Sequence, residues 1–236
     1  MTRAFHLFGL SHLVALMVTA LLIIFGLHWL QTLNDQRYER RVRFWLAFLI
    51  VLQLVGYRLI FLMQGSFQLG YDLPLHLCGL SEILIIIYLL RPEQWLFDLL
   101  YYFVFAGAAL GPLIPDLQED FPAVRYFAMF VPHALMVFIL LYLLIVRRQR
   151  PSPRSYLQAF KMLNLWALCV APFNYYLAGN YLFLRQPPEV NFGPVRWLPA
   201  WPWYLVVLEG FFLLLYRICY QPFATAPAPA LVREEK

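Results

Sequence analysis

Seven stretches of this chain, at about 7–30, 42–63, 73–90, 95–111, 125–146, 159–180 and 201–220, are strongly apolar and separated by short polar loops. A hydrocarbon core about 30 Å thick takes roughly 20 residues of helix to cross. Lipid offers no partner for a free backbone N–H or C=O, and these runs are too long for barrel strands, so helices are predicted for all of them. The composition agrees, with 62% hydrophobic and 13% charged residues and a mean hydropathy of +0.65, against about 25% charged in soluble domains. The expectation is an all-α membrane protein, a seven-transmembrane-helix bundle forming one domain over 1–220. A disordered tail, 221–236, rich in Pro and Ala, follows it. The first run is too long for a signal-peptide core and is read as a retained span.

The charge pattern orients the bundle. Arg37, Arg40, Arg41, Arg43, Arg91, Arg147, Arg148, Arg150, Arg154, Lys161, Arg217, Arg233 and Lys236 fall on one set of loops. The other set carries Arg3, Arg125, Arg185 and Arg196, and Arg58 lies inside a span. Basic residues accumulate on the cytoplasmic side, so the amino terminus is expected outside and the carboxyl terminus in the cytoplasm, as a multi-pass protein of the cell membrane. The net charge of +5 is spent on these loops, and no nucleic-acid partner follows from it.

With that orientation, the polar residues inside the spans gather in the outer half. Counting along each helix puts Cys78, His12, Arg58 and Asn174 about 5 or 6 residues from its outer end, and His133, Glu82 and Glu209 about 8 or 9. Polar groups at such depth face a bundle interior or a watery cavity, which predicts an outward-facing polar chamber. In the stretch "LPLHLCGLSE" (73–82), Cys78, Ser81 and Glu82 share a helical face and His76 points elsewhere. A thiol needs a base to become a nucleophile. His133, at similar depth on the fifth span, is the first candidate and His12 the second.

Other readings stay open from the residues alone. Each cysteine can be apolar filler, and Cys78, Cys169 and Cys219 show no pairing or metal-binding pattern. Arg58 can form an ion pair with Glu82 or Glu209, or bind a phosphate. An intramembrane Arg/Glu/His set also suits a proton-coupled or anion transporter. The histidines have no HxxxH or HxxE spacing, so no metal and no other cofactor is expected.

The outer-end "LPLHLC", the Pro-His pair at 132–133, the Asn180–Tyr181 start of "NYLFLRQPP", the "WPWY" before the last span, and Phe5, Ser11 and His12 near the start together resemble the bacterial YwaF-like integral membrane proteins. These are related to transmembrane protein 164 of animals. The resemblance covers about residues 5–216. It implies a cysteine-dependent acyltransferase, or an acyl hydrolase, acting on membrane phospholipid, with Cys78 as the nucleophile and His133 as its histidine. Arg58, His76, Ser81, Glu82, His12, Asn174 and Glu209 then form the supporting polar chamber, and Asn180 and Tyr181 a loop motif.

Overall fold

The computed structural model describes residues 3–32, 36–190 and 192–224. Eight α-helices follow in chain order: α1 (Leu10–Thr32), α2 (Gln36–Met63), α3 (Leu77–Leu90), α4 (Gln94–Phe103), α5 (Val124–Leu141), α6 (Ser155–Tyr176), the one-turn α7 (Gly193–Arg196) and α8 (Trp203–Tyr220). A helix therefore stands at each of the seven apolar stretches. Among the described residues the only extended pairing is a single bridge between Ala4 and Glu119. The tail expected to be disordered lies outside the described residues from 225 on, and Gln221–Phe223 form one 3-10 turn.

Four helices have the length and hydropathy to cross a membrane: Leu10–Thr32, Tyr38–Met63, Val124–Val146 and Trp203–Phe223. The first of them buries only His12, Leu27 and Leu30. Its remaining apolar surface faces outward, which is stable in lipid and would not be in water. α4 is the opposite case, with every residue from Leu96 to Phe103 buried. A helix buried on all sides belongs at a centre, and α3 and α6 pack against it.

Two helices end in π-turns. α4 runs on through Val104–Ala109 and α5 through Tyr142–Val146. Such turns widen a helix locally and recur beside functional sites. The first of them carries Gly107, and the turn after it carries Gly111. A Cβ at Gly107 would lie 3.6 Å from the Leu77 side chain and 3.7 Å from the Cys78 backbone nitrogen. One at Gly111 would lie 3.1 Å from the His133 ring. Small residues let helices approach where lipid gives no hydrophobic drive, and here they bring α3 and α5 onto the same turn.

α3 begins at Leu77, four residues after its apolar run does. Pro74 biases its neighbour away from helix, and the chain doubles back, so that a Cβ on Gly79 would meet the Pro74 backbone at 2.6 Å. Trp166 of α6 donates from Nε1 to the Leu75 carbonyl at 3.0 Å and holds this bend in place.

Candidate functional site

The bend leaves His76 at the N-cap of α3 without a side-chain cap. The first backbone bond of the helix runs from the Leu80 N–H to the His76 carbonyl. The N–H groups of Leu77, Cys78 and Gly79 accordingly have no backbone acceptor, as at any helix start. Cys78, in this first turn, is partly exposed. Ser81 is fully buried and its hydroxyl donates to the Leu77 carbonyl at 2.7 Å, so it serves its own helix. Glu82 is buried and accepts from the Gln53 amide of α2.

Arg58 lies on the same helix as Gln53. Its Nη1 donates to the Leu54 carbonyl at 2.7 Å, and its Nε is sealed from solvent with no acceptor. It pairs with neither Glu82 nor Glu209, because the ion pairs among the described residues are Arg125–Asp72 and Arg147–Glu39. Glu209 instead accepts from Asn164 of α6 at 3.0 Å. Arg58 and Glu82 both lie within range of Cys78 for their charges to be felt there.

His133 stands one residue after Pro132 inside α5. Its Nδ1 meets the Met129 carbonyl. A carbonyl only accepts, so Nδ1 carries the proton and Nε2 keeps its lone pair. That nitrogen is the ring atom a Gly111 Cβ would touch at 3.1 Å. The 107–111 turn is thus a shared wall, with Cys78 against one end and His133 against the other. His12 differs: Nδ1 accepts the Phe8 N–H at 3.0 Å and Nε2 donates to the Pro112 carbonyl at 2.7 Å. Both nitrogens are engaged, so His12 pins α1 to the loop after α4 and has no free lone pair for a thiol.

The loop motif is scaffolding for the end of the bundle where α3 begins and α6 ends. Asn174, buried at the end of α6, accepts the Tyr181 N–H at 2.6 Å and donates to the Tyr181 carbonyl at 2.9 Å. Asn180 accepts the N–H groups of Arg185 and Gln186. The fully buried Tyr181 reaches back to the loop before α3, donating to the Leu69 carbonyl at 2.6 Å and accepting the Leu73 N–H at 3.1 Å. A second knot has no counterpart in the sequence reading. Arg125 grips Asp72 with both terminal nitrogens, at 2.8 and 3.2 Å, and stacks on Phe61. The sequence signal was a lone aspartate beside an apolar run, which needs a partner if buried but does not name one.

Between these loops lies a cleft of about 380 Å³. Its walls include His76, Tyr71, Phe183, Asp116, Glu119 and Glu189. Burial and the nearby Glu189 charge raise the Asp116 carboxyl above its usual range. Burial, followed by the Asp116 charge, pushes the Tyr71 phenol up to about 12, so it stays neutral. His76 lies close enough to His133 for their charges to interact. Among the described residues no three His, Cys, Asp or Glu side chains are grouped to hold a metal ion.

Comparison with known proteins gives two matches. The model of the TMEM164 family matches residues 7–220. An uncharacterised protein of Treponema pallidum (strain Nichols) is 28% identical over 152 residues, covering 64% of this chain and 62% of that protein. The aligned part therefore spans less than two thirds of that relative's length. No solved structure matches.

Proposed function

The chain belongs to the TMEM164 family, and from that premise we propose that it is a multi-pass enzyme of the cell membrane that transfers or hydrolyses phospholipid acyl chains through Cys78. The observation that carries this reading is the 107–111 turn, where a Cβ on Gly107 would lie 3.7 Å from the Cys78 backbone nitrogen and one on Gly111 3.1 Å from the ring of His133, whose Nε2 keeps a lone pair. A nucleophile paired with a base whose tautomer is fixed by a third group is the usual arrangement for covalent catalysis.

In this scheme His133 Nε2 takes the Cys78 proton. The sulfur bonds to the ester carbonyl carbon, and the C–O bond to glycerol breaks. The leaving alkoxide takes the proton from His133, and the acyl group stays on Cys78 as a thioester. A second hydroxyl, from a lysophospholipid or from water, gives its proton to His133 and attacks that thioester; the C–S bond breaks and the departing sulfur takes the proton back from His133. Arg58, with an unsatisfied buried Nε and no ion pair, suits the phosphate. Glu82 is turned to Gln53.

Depth supports the same substrate. With seven crossings and an outer amino terminus, α3 of 14 residues rises about 21 Å from the inner boundary, about 10 Å short of a 30 Å core. Cys78 then sits at the floor of a recess roofed by the outer loops. Irregular backbone at such depth is tolerated where it lines a cavity.

Acyl exchange between labelled phospholipids, measured with purified protein in vesicles, tests the scheme. Cys78→Ala should abolish exchange and His133→Ala should lower it about 100-fold or more. Undiminished exchange in either variant overturns it. A function that depends strictly on Glu82 or Glu209 and is indifferent to Cys78→Ala would instead favour the transporter reading.

A further inference from the structure

Two arginines at the end of the bundle away from the cleft take no part in the chemistry at Cys78. Arg147 follows the π-turn that closes α5, and its Nη2 holds the Glu39 carboxylate of α2 at 2.7 Å. Arg43 stands one helical turn beyond Glu39, and residues four apart on a helix share a face. Arg43 and Arg147 therefore flank a single carboxylate. Arg147 neutralises it, and Arg43 belongs to neither ion pair among the described residues. The Arg43 side chain is half-buried and its Nε has no hydrogen-bond partner, although a buried donor calls for an acceptor. We propose that this corner binds the phosphate of a membrane phospholipid, anionic headgroups being preferred, at a site separate from Cys78 and independent of what Cys78 does.

Depth fits a phosphate. The apolar span that holds Arg43 runs over Tyr38–Met63, 26 residues and about 39 Å of helix, against a hydrocarbon core of about 30 Å. Arg43, near the start of that span, lies at the edge of the core, where a long cationic side chain reaches to the headgroups. Arg147 directly follows the span Val124–Val146, so both guanidinium groups meet the same layer. Their fixed fork matches the paired oxygens of a phosphate. The Tyr142 carbonyl accepts the Arg147 N–H at 3.0 Å, and the hydroxyls of Tyr142 and of Tyr88 on α3 lie within charge range of both arginines, which adds two neutral donors.

The neighbouring surface favours a lipid over a free ion. Phe44, Trp45 and Phe48, on the adjoining face of α2, are exposed at 58, 58 and 45%, and the Trp45 ring packs edge-on against both phenylalanines at 5.7 Å. This apolar strip gives acyl chains a bed beside the arginines, and a Trp ring at this level marks the membrane–water boundary. Two arginines against one carboxylate leave a positive charge unbalanced, and Arg40, Arg41, Arg91 and Arg148 stand at the same end. A headgroup with its own ammonium meets repulsion there, whereas phosphatidylglycerol brings its phosphate alone. Basic pockets between spans hold anionic headgroups in this manner.

Thermal unfolding of the purified full chain in detergent, titrated with dioleoylphosphatidylglycerol, dioleoylphosphatidylcholine or inorganic phosphate, tests the site without reference to any activity. For the parent, phosphatidylglycerol should raise the unfolding temperature to a plateau, with half the effect at a mole fraction about tenfold below that of phosphatidylcholine. Inorganic phosphate should neither raise it nor shift the lipid curve. Arg43→Gln should raise the half-effect fraction about tenfold, the usual loss for one charge-assisted bond. Arg41→Gln removes the same charge from an exposed position on the same helix and should stay within about twofold of the parent. Arg43→Lys keeps the charge without the fork and should bind more weakly than the parent. The half-effect fraction is read from each variant's own curve, so a variant of lower intrinsic stability still reports. Equal fractions for Arg41→Gln and Arg43→Gln, or for Arg43→Lys and the parent, overturn the site and leave a diffusely basic surface. Stabilisation by inorganic phosphate equal to that by phosphatidylglycerol overturns the assignment to a lipid.

Discussion

Asn174 shows how much of the loop-bearing end of the bundle depends on single polar side chains. Its two bonds to Tyr181 are its own contribution to a turn that no regular element supports. Asn174→Ala leaves a buried N–H and carbonyl of Tyr181 without partners. Each unmade bond of this kind costs about 1–3 kcal/mol, so a loss of about 2–4 kcal/mol is expected, read as a lower unfolding temperature in detergent. The sequence placed Asn174 in a polar chamber by depth alone. Depth finds which residues lie beneath the surface, and it brought Cys78, His133, Arg58 and Asn174 forward together. It does not say which nitrogen of an imidazole is occupied. His12, His76 and His133 look alike as letters, yet one has both nitrogens engaged, one keeps a proton to give and one keeps a lone pair. Those differences come from backbone groups about 100 residues away for His12 and His76, beyond the reach of any local pattern.

At the scale of elements, the apolar runs were legible because lipid permits one backbone solution, and a helix stands at each. The start of α3 was less legible, since hydropathy continues through "LPLH" while the backbone turns. Pro74 was the local signal, and its contact with Gly79 is the tertiary cause. Gly79→Ala pushes a Cβ to within 2.6–2.9 Å of Pro74 Cα, C and Cβ, backbone that cannot rotate away. Overpacking of this kind costs about 1–3 kcal/mol, and the displaced turn carries His76 and Cys78, so thermal stability and acyl exchange should fall together. Gly210→Ala is the matched control: it lies in α8 with nothing within 4 Å of its Cβ. Helix propensity there favours Ala by up to about 1 kcal/mol, so its unfolding temperature should hold or rise. If Gly79→Ala is as stable as Gly210→Ala, the bend before α3 is not held by that contact.

For the whole molecule, the two ion pairs mark opposite ends. Arg125 at the start of α5 grips Asp72 in the loop after α2, and Arg147 at the end of α5 grips Glu39 at the start of α2. α2 and α5 therefore run antiparallel, and the chain has one end rich in Arg40, Arg41, Arg43, Arg91, Arg148 and Arg150 and another rich in Asp116, Glu119, Asp120 and Glu189. If the basic end faces the cytoplasm, as basic residues generally do, the acidic cleft opens outside. The short α3 is the strict test, because 14 residues give about 21 Å and cross only if a recess meets them. In protein with its native cysteines replaced by Ala, single cysteines at exposed loop positions report sidedness. Gln64→Cys and Gln118→Cys should react with a membrane-impermeant maleimide in intact cells, whereas Arg91→Cys and Arg148→Cys should react only after permeabilisation. Labelling of Arg91→Cys from outside would mean that α3 turns back without crossing, and the loops on either side of it would then share one face. The reverse pattern at all four positions would invert the bundle and place the cleft at the cytoplasmic leaflet.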